Sequence, residues 1–188
     1  MEIRKINING ILDGEYSKTM EFFPEIAERI NKYRPDDKKR TLAGRYLLKN
    51  MIKDIYGREE FSVEYNENGK PLLDFCFFSI SHSGGFAVCA VSDSPVGVDI
   101  ERMCGFKKRE KYMLFTVRES EYVNECDCES RFCTLWTRKE ALIKAKGGKI
   151  ADAAKIELVT PDFKLKPQYD EFEFTTKIDD IYILSAVE

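Results

Sequence analysis

Three short apolar runs lie close together in the middle of the chain, and they limit the folds that it can adopt. The runs cover residues 75–80, 86–92 and 96–100, and each has the length of a strand. Gly84 and Gly85 separate the first two runs, and paired glycines favour a tight turn. Since a tight turn joins antiparallel neighbours, the runs predict an antiparallel sheet.

Two helices are predicted before these strands. Pro24 can begin one that runs to about Tyr33, because proline is tolerated in the first helical turn. Asp36 or Asp37 can cap a longer helix, whose apolar pattern ends just before Gly57. The first half of the chain therefore combines helices with strands, and residues 2–8 supply one further strand candidate.

The second half of the chain repeats this combination of elements. Residues 103–146 have a helical pattern, and the chain alternates again from about residue 155 onward. The segments that close the two halves, FAVCAVSD and YILSAVE, also resemble each other. This order favours an α+β fold with two similar lobes in a pseudo-twofold arrangement, each an antiparallel sheet packed with helices. We place the lobes at residues 1–102 and 103–188.

The charge balance argues against some classes of function. Charged side chains make up 34% of the chain but leave a net charge of only -3, which argues against nucleic-acid binding by bulk attraction. The N-terminal MEIRKINING lacks the continuous apolar segment of a secretory signal. No apolar run approaches the roughly 18–20 residues that a membrane helix needs. We therefore expect a cytoplasmic protein with no nucleic-acid or membrane partner.

The cysteines predict neither disulfides nor a zinc site. Without a secretory context, an even number of cysteines gives little support to disulfides. Cys126 and Cys128 form a C-x-C pattern with no histidine nearby, which does not match the ligand spacing of zinc sites. A set of thiols, several of them buried, is the favoured interpretation.

The segment PVGVDIE places two carboxylates on one strand. Residues two apart on a strand point to the same side, so Asp99 and Glu101 share one face, and Val98 and Ile100 share the other. Two carboxylates on one face suit a hard cation that prefers oxygen ligands.

A predicted helix from Phe132 to Gly148 carries a third acid. One stripe along it holds Glu140 between two lysines, Lys139 and Lys144, beside the single tryptophan of the chain. This stripe can also be an ordinary solvated face with an intrahelical pair between Glu140 and Lys144. The helix alone favours that second interpretation.

Two turns supply groups that suit phosphate oxygens. Residues 79–85 hold the only histidine, His82, among serines and glycines, and backbone N–H groups and hydroxyls are good phosphate donors. Asn68 and Gly69 form a second turn that ends in Lys70 and Pro71. Taken singly, the first is equally an ordinary hairpin, and the second is a turn with a solvated lysine.

Taken together, these groups predict chemistry on a phosphorylated substrate. Glu140 would complete a three-acid site for Mg²⁺ with Asp99 and Glu101. The lysines and the His82 turn would offset phosphate charge around that site. Residue type and spacing thus predict Mg²⁺-dependent chemistry on a phosphate ester or anhydride, and they leave open which one.

Five motifs in this order resemble those of the 4′-phosphopantetheinyl transferases, specifically the two-lobed type that activates peptide synthetases and acyl carrier proteins. The motifs are Gly69-Lys70-Pro71, Ile80-Ser81-His82-Ser83, Gly97-Val98-Asp99-Ile100-Glu101, Phe115-Thr116-Val117-Arg118-Glu119 and Trp136-Thr137-Arg138-Lys139-Glu140-Ala141-Leu142-Ile143-Lys144. The segment Arg40-Thr41-Leu42 adds a weaker match upstream.

The resemblance implies a reaction and a mode of binding. Coenzyme A and Mg²⁺ would bind between the lobes of a monomer, with an apo acyl or peptidyl carrier protein as the partner. A serine of the carrier would attack the β-phosphate, the phosphopantetheine arm would move to that serine, and adenosine 3′,5′-bisphosphate would leave.

The resemblance also implies roles for individual residues. Asp99, Glu101 and Glu140 would hold Mg²⁺. Glu140, or a water that it orients, would be the general base, and Lys144 would stabilise charge on the leaving phosphate. The contacts to coenzyme A would come from Arg40, Thr41, Lys70, Pro71, Ser81, His82, Lys139 and Lys144.

Some positions depart from the family pattern or have alternatives. Where the family often has two basic residues before Arg40, this chain has Arg29 and, near the other position, Ile26. Glu119 fits the fourth motif better than Glu121, as an outer metal ligand or a purely structural residue.

Three further alternatives concern partners and activity. The basic run at residues 106–111 is either a docking surface for an acidic carrier or a solvated helix start. The same three acids would also suit a Mg²⁺-dependent phosphohydrolase that acts on a nucleotide or on the coenzyme A pyrophosphate. A coenzyme A-binding module without catalysis is the other alternative.

Overall fold

A computed structural model describes residues 1–103, 113–125, 129–179 and 181–188. The chain divides into two units, Met1–Ser94 and Pro95–Glu188, and both combine helices with antiparallel sheet. The α+β class is therefore confirmed. The predicted lobe boundary after residue 102 stays a prediction, and the strand Gly97–Arg102 pairs within the second unit. The pseudo-twofold arrangement and an active site between the lobes stay predictions.

The first unit is built on a three-stranded antiparallel sheet in the order β1-β5-β4. Its strands are β1 (Glu2–Asn7), β4 (Phe77–Ser83) and β5 (Phe86–Ser92), and β2 (Glu64–Tyr65) and β3 (Pro71–Leu72) form a separate hairpin. The predicted turn between β4 and β5 is confirmed, with Gly84 in the left-handed region at a φ of 55°.

Three α-helices belong to this unit: α1 (Asp13–Phe22), α2 (Ala27–Ile30) and α3 (Pro35–Tyr56). Helix α3 packs on the sheet, and α1 and α2 pack against α3. The helix predicted from Pro24 is shorter than expected, since a 3-10 turn at Pro24–Ile26 precedes the single turn of α2. Helix α3 ends as predicted, with Gly57 in the left-handed region. Its predicted cap is wrong, because Arg34 is the N-cap residue and Asp36 and Asp37 lie in the first turn.

Helix α3 packs against β4 and β5 to form the core of the first unit. Leu48, Met51 and Ile52 of the helix are fully buried. Gly44 permits a close approach to the sheet, because a Cβ there would lie 2.5 Å from Cγ2 of Ile80. The helix therefore packs closely on β4, the strand that carries His82.

The second unit contains a sheet in the order β6-β9-β8-β7. Its strands are β6 (Gly97–Arg102), β7 (Gln168–Tyr169), β8 (Phe172–Asp179) and β9 (Tyr182–Val187), and every pair is antiparallel. Asp99 lies opposite Ser185 in the β6–β9 register. Strand β6 thus pairs with the last strand of the chain, although more than 80 residues separate Asp99 from Ser185 along the sequence.

Among its described residues, the second unit has two α-helices and a 3-10 helix: α4 (Val117–Asn124), α5 (Glu129–Lys146) and the 3-10 helix Ile150–Lys155. Helix α5 lies across β6 and β9. It ends where its two glycines predict, with Gly147 in the left-handed region at a φ of 67°. Leu135 and Leu142 of α5 pack with Ile183 and Val187 of β9 in the core of this unit.

The prediction of buried thiols is confirmed for the cysteines that the structure describes. Cys76, Cys89 and Cys133 are buried. Burial raises the pKa of the Cys76 thiol to about 11, so this thiol stays protonated at neutral pH. Cys104, Cys126 and Cys128 lie outside the described residues. Within the described part of the chain, no helix is long and apolar enough to cross a membrane.

Candidate active site

Gly97 allows strand β6 and helix α5 to approach closely. A Cβ at this position would lie 1.8 Å from the carbonyl oxygen of Ala141 and 2.8 Å from the backbone nitrogen of Ala145. No side chain fits there without a shift of the backbone. The close contact with helix α5 of the same unit therefore explains why a glycine stands at this position.

Asp99 and Lys144 form an ion pair where this strand and this helix meet. The ammonium nitrogen of Lys144 lies 2.7 Å from Oδ1 of Asp99, and it also donates to the carbonyl oxygen of Val98 at 3.2 Å. The Asp99 side chain is only 6% exposed, whereas the Lys144 side chain is 28% exposed. A buried anion is thus paired with a cation that retains access to solvent.

Glu140 lies on helix α5 between Thr137 and Lys144, which both contact the sheet near Asp99. Thr137 hydrogen-bonds Ser185, oxygen to oxygen, at 2.8 Å, and Ser185 is the register partner of Asp99. Thr137 and Lys144 are roughly two helical turns apart, so Glu140 lies between them. The Glu140 side chain is half-buried. Helix α5 therefore brings Glu140 and Lys144 to the sheet face that carries Asp99.

Glu101 belongs to the same face of β6 by strand alternation. Gly97 and Asp99 both face α5, and Glu101 follows at the next alternate position. Its side chain is half-buried, while Val98 and Ile100 are fully buried at the intervening positions. The division of β6 into an acidic and an apolar face agrees with the sequence pattern.

Carboxylate oxygens are the ligand type that Mg²⁺ prefers, so the chemistry of Asp99, Glu101 and Glu140 suits this ion. Across residues 1–103, 113–125, 129–179 and 181–188, however, no three His, Cys, Asp or Glu side chains are grouped to hold a metal ion. The ammonium of Lys144 stands where a cation would meet Asp99. The surroundings of Asp99 thus accept a positive charge.

The stripe of α5 that the sequence suggested as a solvated face is largely buried. Trp136, Lys139 and Ile143 are 3%, 0% and 5% exposed, and only Glu140 and Lys144 retain partial exposure. The interpretation as a solvated face is therefore wrong.

Lys139 is enclosed within the second unit. Its ammonium lies 2.5 Å from Oε2 of Glu119 and donates to the carbonyl oxygens of Leu114, Ala153 and Ile156, at 3.1, 2.7 and 2.7 Å. Burial lowers the pKa of Lys139, and the hydrogen bond to Glu119 acts in the opposite direction. Because its three protons meet these protein acceptors, we leave Lys139 out of the proposed coenzyme contacts.

The surroundings of Glu119 agree with a purely structural residue, which was one of its two predicted roles. It is the N3 residue of a capping box with Thr116 at the start of α4, and its side chain is fully buried. Glu121 is exposed on the same helix. The basic run at residues 106–111 lies outside the described residues.

In the first unit, Lys70 and Pro71 lie where the β2–β3 hairpin turns. The side chain of Asn66 accepts from the N–H of Asn68 at 3.0 Å and from the N–H of Lys70 at 2.9 Å, which orders the turn. Lys70 is half-buried, and burial lowers the pKa of its ammonium. The lysine is thus placed on a short, hydrogen-bonded turn and is not fully solvated.

Ser81 and His82 lie next to each other on β4 and therefore point to opposite faces of the strand. Ser81 is buried, whereas His82 is exposed. The hairpin predicted at residues 79–85 is confirmed by the pairing of Ser83 with Phe86. The predicted roles of Ser81 and His82 in phosphate binding stay predictions.

Helix α3 holds Arg40 beside the β4–β5 turn. The Arg40 guanidinium donates to Oδ1 of Asp37 at 2.7 Å and to the carbonyl oxygen of Gly84 at 3.4 Å. The hydroxyl of Thr41 donates to the carbonyl oxygen of Asp37 at 2.9 Å. The hydrogen bond from Arg40 lowers the pKa of the Asp37 carboxyl, and the charge of His82 acts in the same direction. Arg40 and His82 therefore both favour the charged form of the Asp37 carboxyl.

Two contacts of these sites were not predicted from the sequence: that of Asp37 with Arg40 and that of Ser185 with Thr137. Asp37 lies three residues before Arg40 on α3, a spacing at which helical charges meet, so this signal was available. No signal in the sequence pointed to Ser185, because its contact with Thr137 depends on a strand pairing between distant parts of the chain. Ile26 is buried, so it offers nothing to an anion, and Arg29 hydrogen-bonds Tyr33 at 2.7 Å.

The family model of the 4′-phosphopantetheinyl transferase superfamily matches residues 95–182. This range begins with the first residue of the second unit and includes Asp99, Glu101, Glu140 and Lys144. The match therefore covers the strand and the helix that carry the acids and the lysine described above.

Several curated proteins are similar to the chain. The 4′-phosphopantetheinyl transferase HetI of Nostoc sp. is 33% identical over 159 residues, which cover 77% of this chain and 67% of HetI. The 4′-phosphopantetheinyl transferase gsp of Aneurinibacillus migulanus is 37% identical over 119 residues, or 59% of this chain and 49% of gsp. The 4′-phosphopantetheinyl transferase Sfp of Bacillus subtilis is 31% identical over 143 residues, or 71% of this chain and 64% of Sfp.

The chain belongs to the 4′-phosphopantetheinyl transferase superfamily. It matches about half the length of gsp (49%) and about two thirds of HetI (67%).

Proposed function

We propose that this protein transfers the 4′-phosphopantetheine arm of coenzyme A to a serine of an apo acyl or peptidyl carrier protein. The reaction depends on Mg²⁺ and releases adenosine 3′,5′-bisphosphate. The observation that carries the proposal is the Asp99–Lys144 ion pair, which lies at the contact between β6 and α5. A buried acid and a partly exposed lysine in one place suit a reaction that moves a phosphate group.

Asp99, Glu101 and Glu140 would hold Mg²⁺. When bound, this ion supplies positive charge that offsets the charge of the pyrophosphate. The ammonium of Lys144 lies 2.7 Å from the Asp99 carboxylate, and this ion pair supports Asp99 as a ligand for a cation. Binding of Mg²⁺ to Asp99 would release Lys144 for the phosphate. Titration calorimetry would measure Mg²⁺ binding directly, and Asp99→Asn is expected to weaken it.

Glu140 acts as the general base of the transfer. It accepts the proton of the carrier serine as the serine oxygen forms a bond to the β-phosphorus of coenzyme A. The bond from that phosphorus to the bridging oxygen breaks, and the electron pair leaves with the bisphosphate. Lys144 stabilises the negative charge that develops on this leaving group. The partial exposure of both side chains is compatible with contact to a substrate.

The first unit supplies the contacts to the rest of coenzyme A. Lys70 and Ser81 bind phosphate oxygens, and Pro71 follows Lys70 as the first residue of β3. Arg40 and His82 bind the 3′-phosphate, and Thr41 lines the nucleotide end. Arg40 is paired with Asp37 at 2.7 Å, so this contact requires Arg40 to exchange a carboxylate for a phosphate. Both are oxygen acceptors that match the guanidinium fork.

Incubation with coenzyme A, Mg²⁺ and an apo carrier protein tests the proposal. A gain of one phosphopantetheine mass on the carrier supports a transferase. Release of nucleotide or phosphate without a carrier would support a Mg²⁺-dependent phosphohydrolase. Coenzyme A binding without any product would support a binding module, and either of these two results overturns the proposed transfer.

Cytoplasmic location, a monomeric state, and the absence of nucleic-acid and membrane partners belong to the same proposal. Analytical sedimentation would check the monomeric state.

A further inference from the structure

The Lys139–Glu119 ion pair joins several segments of the second unit around helix α5. Oε1 of Glu119 accepts from the N–H of Leu158 at 2.9 Å, and Oε2 accepts from the N–H of Thr116 at 2.9 Å. Lys139 donates in addition to the three carbonyl oxygens described above. One buried centre therefore holds α5, the start of α4 and the segment that follows the 3-10 helix.

Stability alone is a weak reason for such a pair. Removing two charges from water costs free energy that their attraction often only balances, so an apolar pair of similar volume would hold a core as well. Hydrogen bonds differ from apolar contacts in their direction, since each one restricts both distance and angle. The Lys139 ammonium and the Glu119 carboxylate thus restrict the rotation of α5 more closely than an apolar pair would.

Glu140 lies between two fixed positions on α5. Lys139 precedes it, and Ala141 follows it with its carbonyl oxygen against Gly97 of β6. Successive residues of an α-helix differ by about 100° around its axis, so the side chains at these positions leave the helix in different directions. A rotation of α5 that released Lys139 would move Glu140 along with it.

We infer that Lys139 and Glu119 are positioning residues, which hold α5 in the rotation that aims Glu140 at the carrier serine. This inference rests on the proposed function. Glu119 of the fourth motif and Lys139 of the fifth motif thus orient the general base and do not bind the coenzyme. A displacement of about 1 Å of a reacting group can cost on the order of 100-fold in rate.

Glu119→Gln tests the inference, because it removes the charge and keeps the shape of the side chain. At a temperature where the variant stays folded, kcat for carrier modification is expected to fall about 10- to 100-fold. The KM for coenzyme A is expected to stay within about twofold of wild type. Val123→Ala is the matched control, since Val123 lies buried on α4 in the same core. It lowers the thermal midpoint and is expected to retain kcat.

Glu119→Asp keeps the charge but withdraws it from Lys139, and it replaces Glu119→Gln if that variant does not fold. It is expected to lose about tenfold in kcat at an unchanged KM. A wild-type kcat in a folded Glu119 variant, or a loss no greater than that of Val123→Ala, overturns the inference. A raised KM for coenzyme A at normal kcat does the same, since it points to binding of the coenzyme. A wild-type protein that transfers nothing overturns the proposed function itself, and the inference with it.

Discussion

The ammonium of Lys144 lies 2.7 Å from a carboxylate oxygen of Asp99, so the last turns of helix α5 are tied to strand β6 by charge. The same strand and helix meet at Gly97, where the carbonyl oxygen of Ala141 takes the space of a side chain. Together these contacts place an acid, a lysine and the half-buried Glu140 in one part of the second unit. The arrangement links the packing of the unit to its proposed chemistry.

Gly97→Ala is expected to destabilise the protein by about 3 kcal/mol or more, because the added methyl group would overlap a backbone carbonyl. Chemical denaturation of the variant measures this loss as a lower midpoint. Gly14→Ala is the matched control, since no atom lies within 4 Å of a Cβ there and the position is helical. It should leave stability unchanged or raise it by up to about 1 kcal/mol. Equal stability of the two variants would contradict the close approach of β6 and α5.

As the pH rises, coenzyme A binding is expected to weaken at a lower pH than it would if Lys70 had the pKa of an ordinary lysine. Burial lowers the pKa of Lys70, so this ammonium loses its proton earlier as the pH rises. The neutral amine attracts phosphate less, and the Kd for coenzyme A therefore increases through the alkaline range. Arginine stays protonated there, so Lys70→Arg should flatten this part of the pH profile. Identical profiles for wild type and Lys70→Arg would exclude Lys70 from the phosphate site.

Asp37→Asn is expected to strengthen coenzyme A binding about two- to fivefold, as suits the loss of one partly exposed ion pair. The Asp37 carboxylate competes with phosphate for Arg40, to which it is bound at 2.7 Å. Fluorescence or calorimetric titration gives the two dissociation constants. Coenzyme A without its 3′-phosphate serves as the control ligand, and its affinity should not change. Equal gains for both ligands would show that Arg40 does not bind the 3′-phosphate.

Local signals in the sequence predict the elements whose ends and faces depend on nearby residues. Strand β5 covers the predicted residues 86–92, and α3 ends before Gly57. Helix α1 escaped prediction, because its buried positions include Tyr16 and Thr19, which leave no plain apolar stripe. The place of residues 97–102 in the second unit could not be predicted, because it depends on the distant pairing of β6 with β9.

The candidate site shows the same division between local and distant causes. Strand alternation predicts Asp99 and Glu101 on one face, and helical spacing predicts Glu140 near Lys144; the half-burial of Glu101, Glu140 and Lys144 agrees with both predictions. The burial of Lys139 could not be predicted, because lysines are rarely buried and its acceptors come from several distant segments. Sequence neighbours in one motif therefore differ in burial: Lys139 is fully buried, whereas Glu140 is half-buried.

The intact mass of an apo carrier protein tests the central claim most directly. The carrier is incubated with coenzyme A and Mg²⁺ together with wild type, Asp99→Ala or Glu140→Ala, each shown to be folded by circular dichroism. Wild type is predicted to add one phosphopantetheine group, while each variant is slower by at least about 100-fold. Glu121→Ala, which removes an exposed acid from α4, should match wild type. Near-normal transfer by folded Asp99→Ala or Glu140→Ala, or no transfer by wild type, would contradict the account.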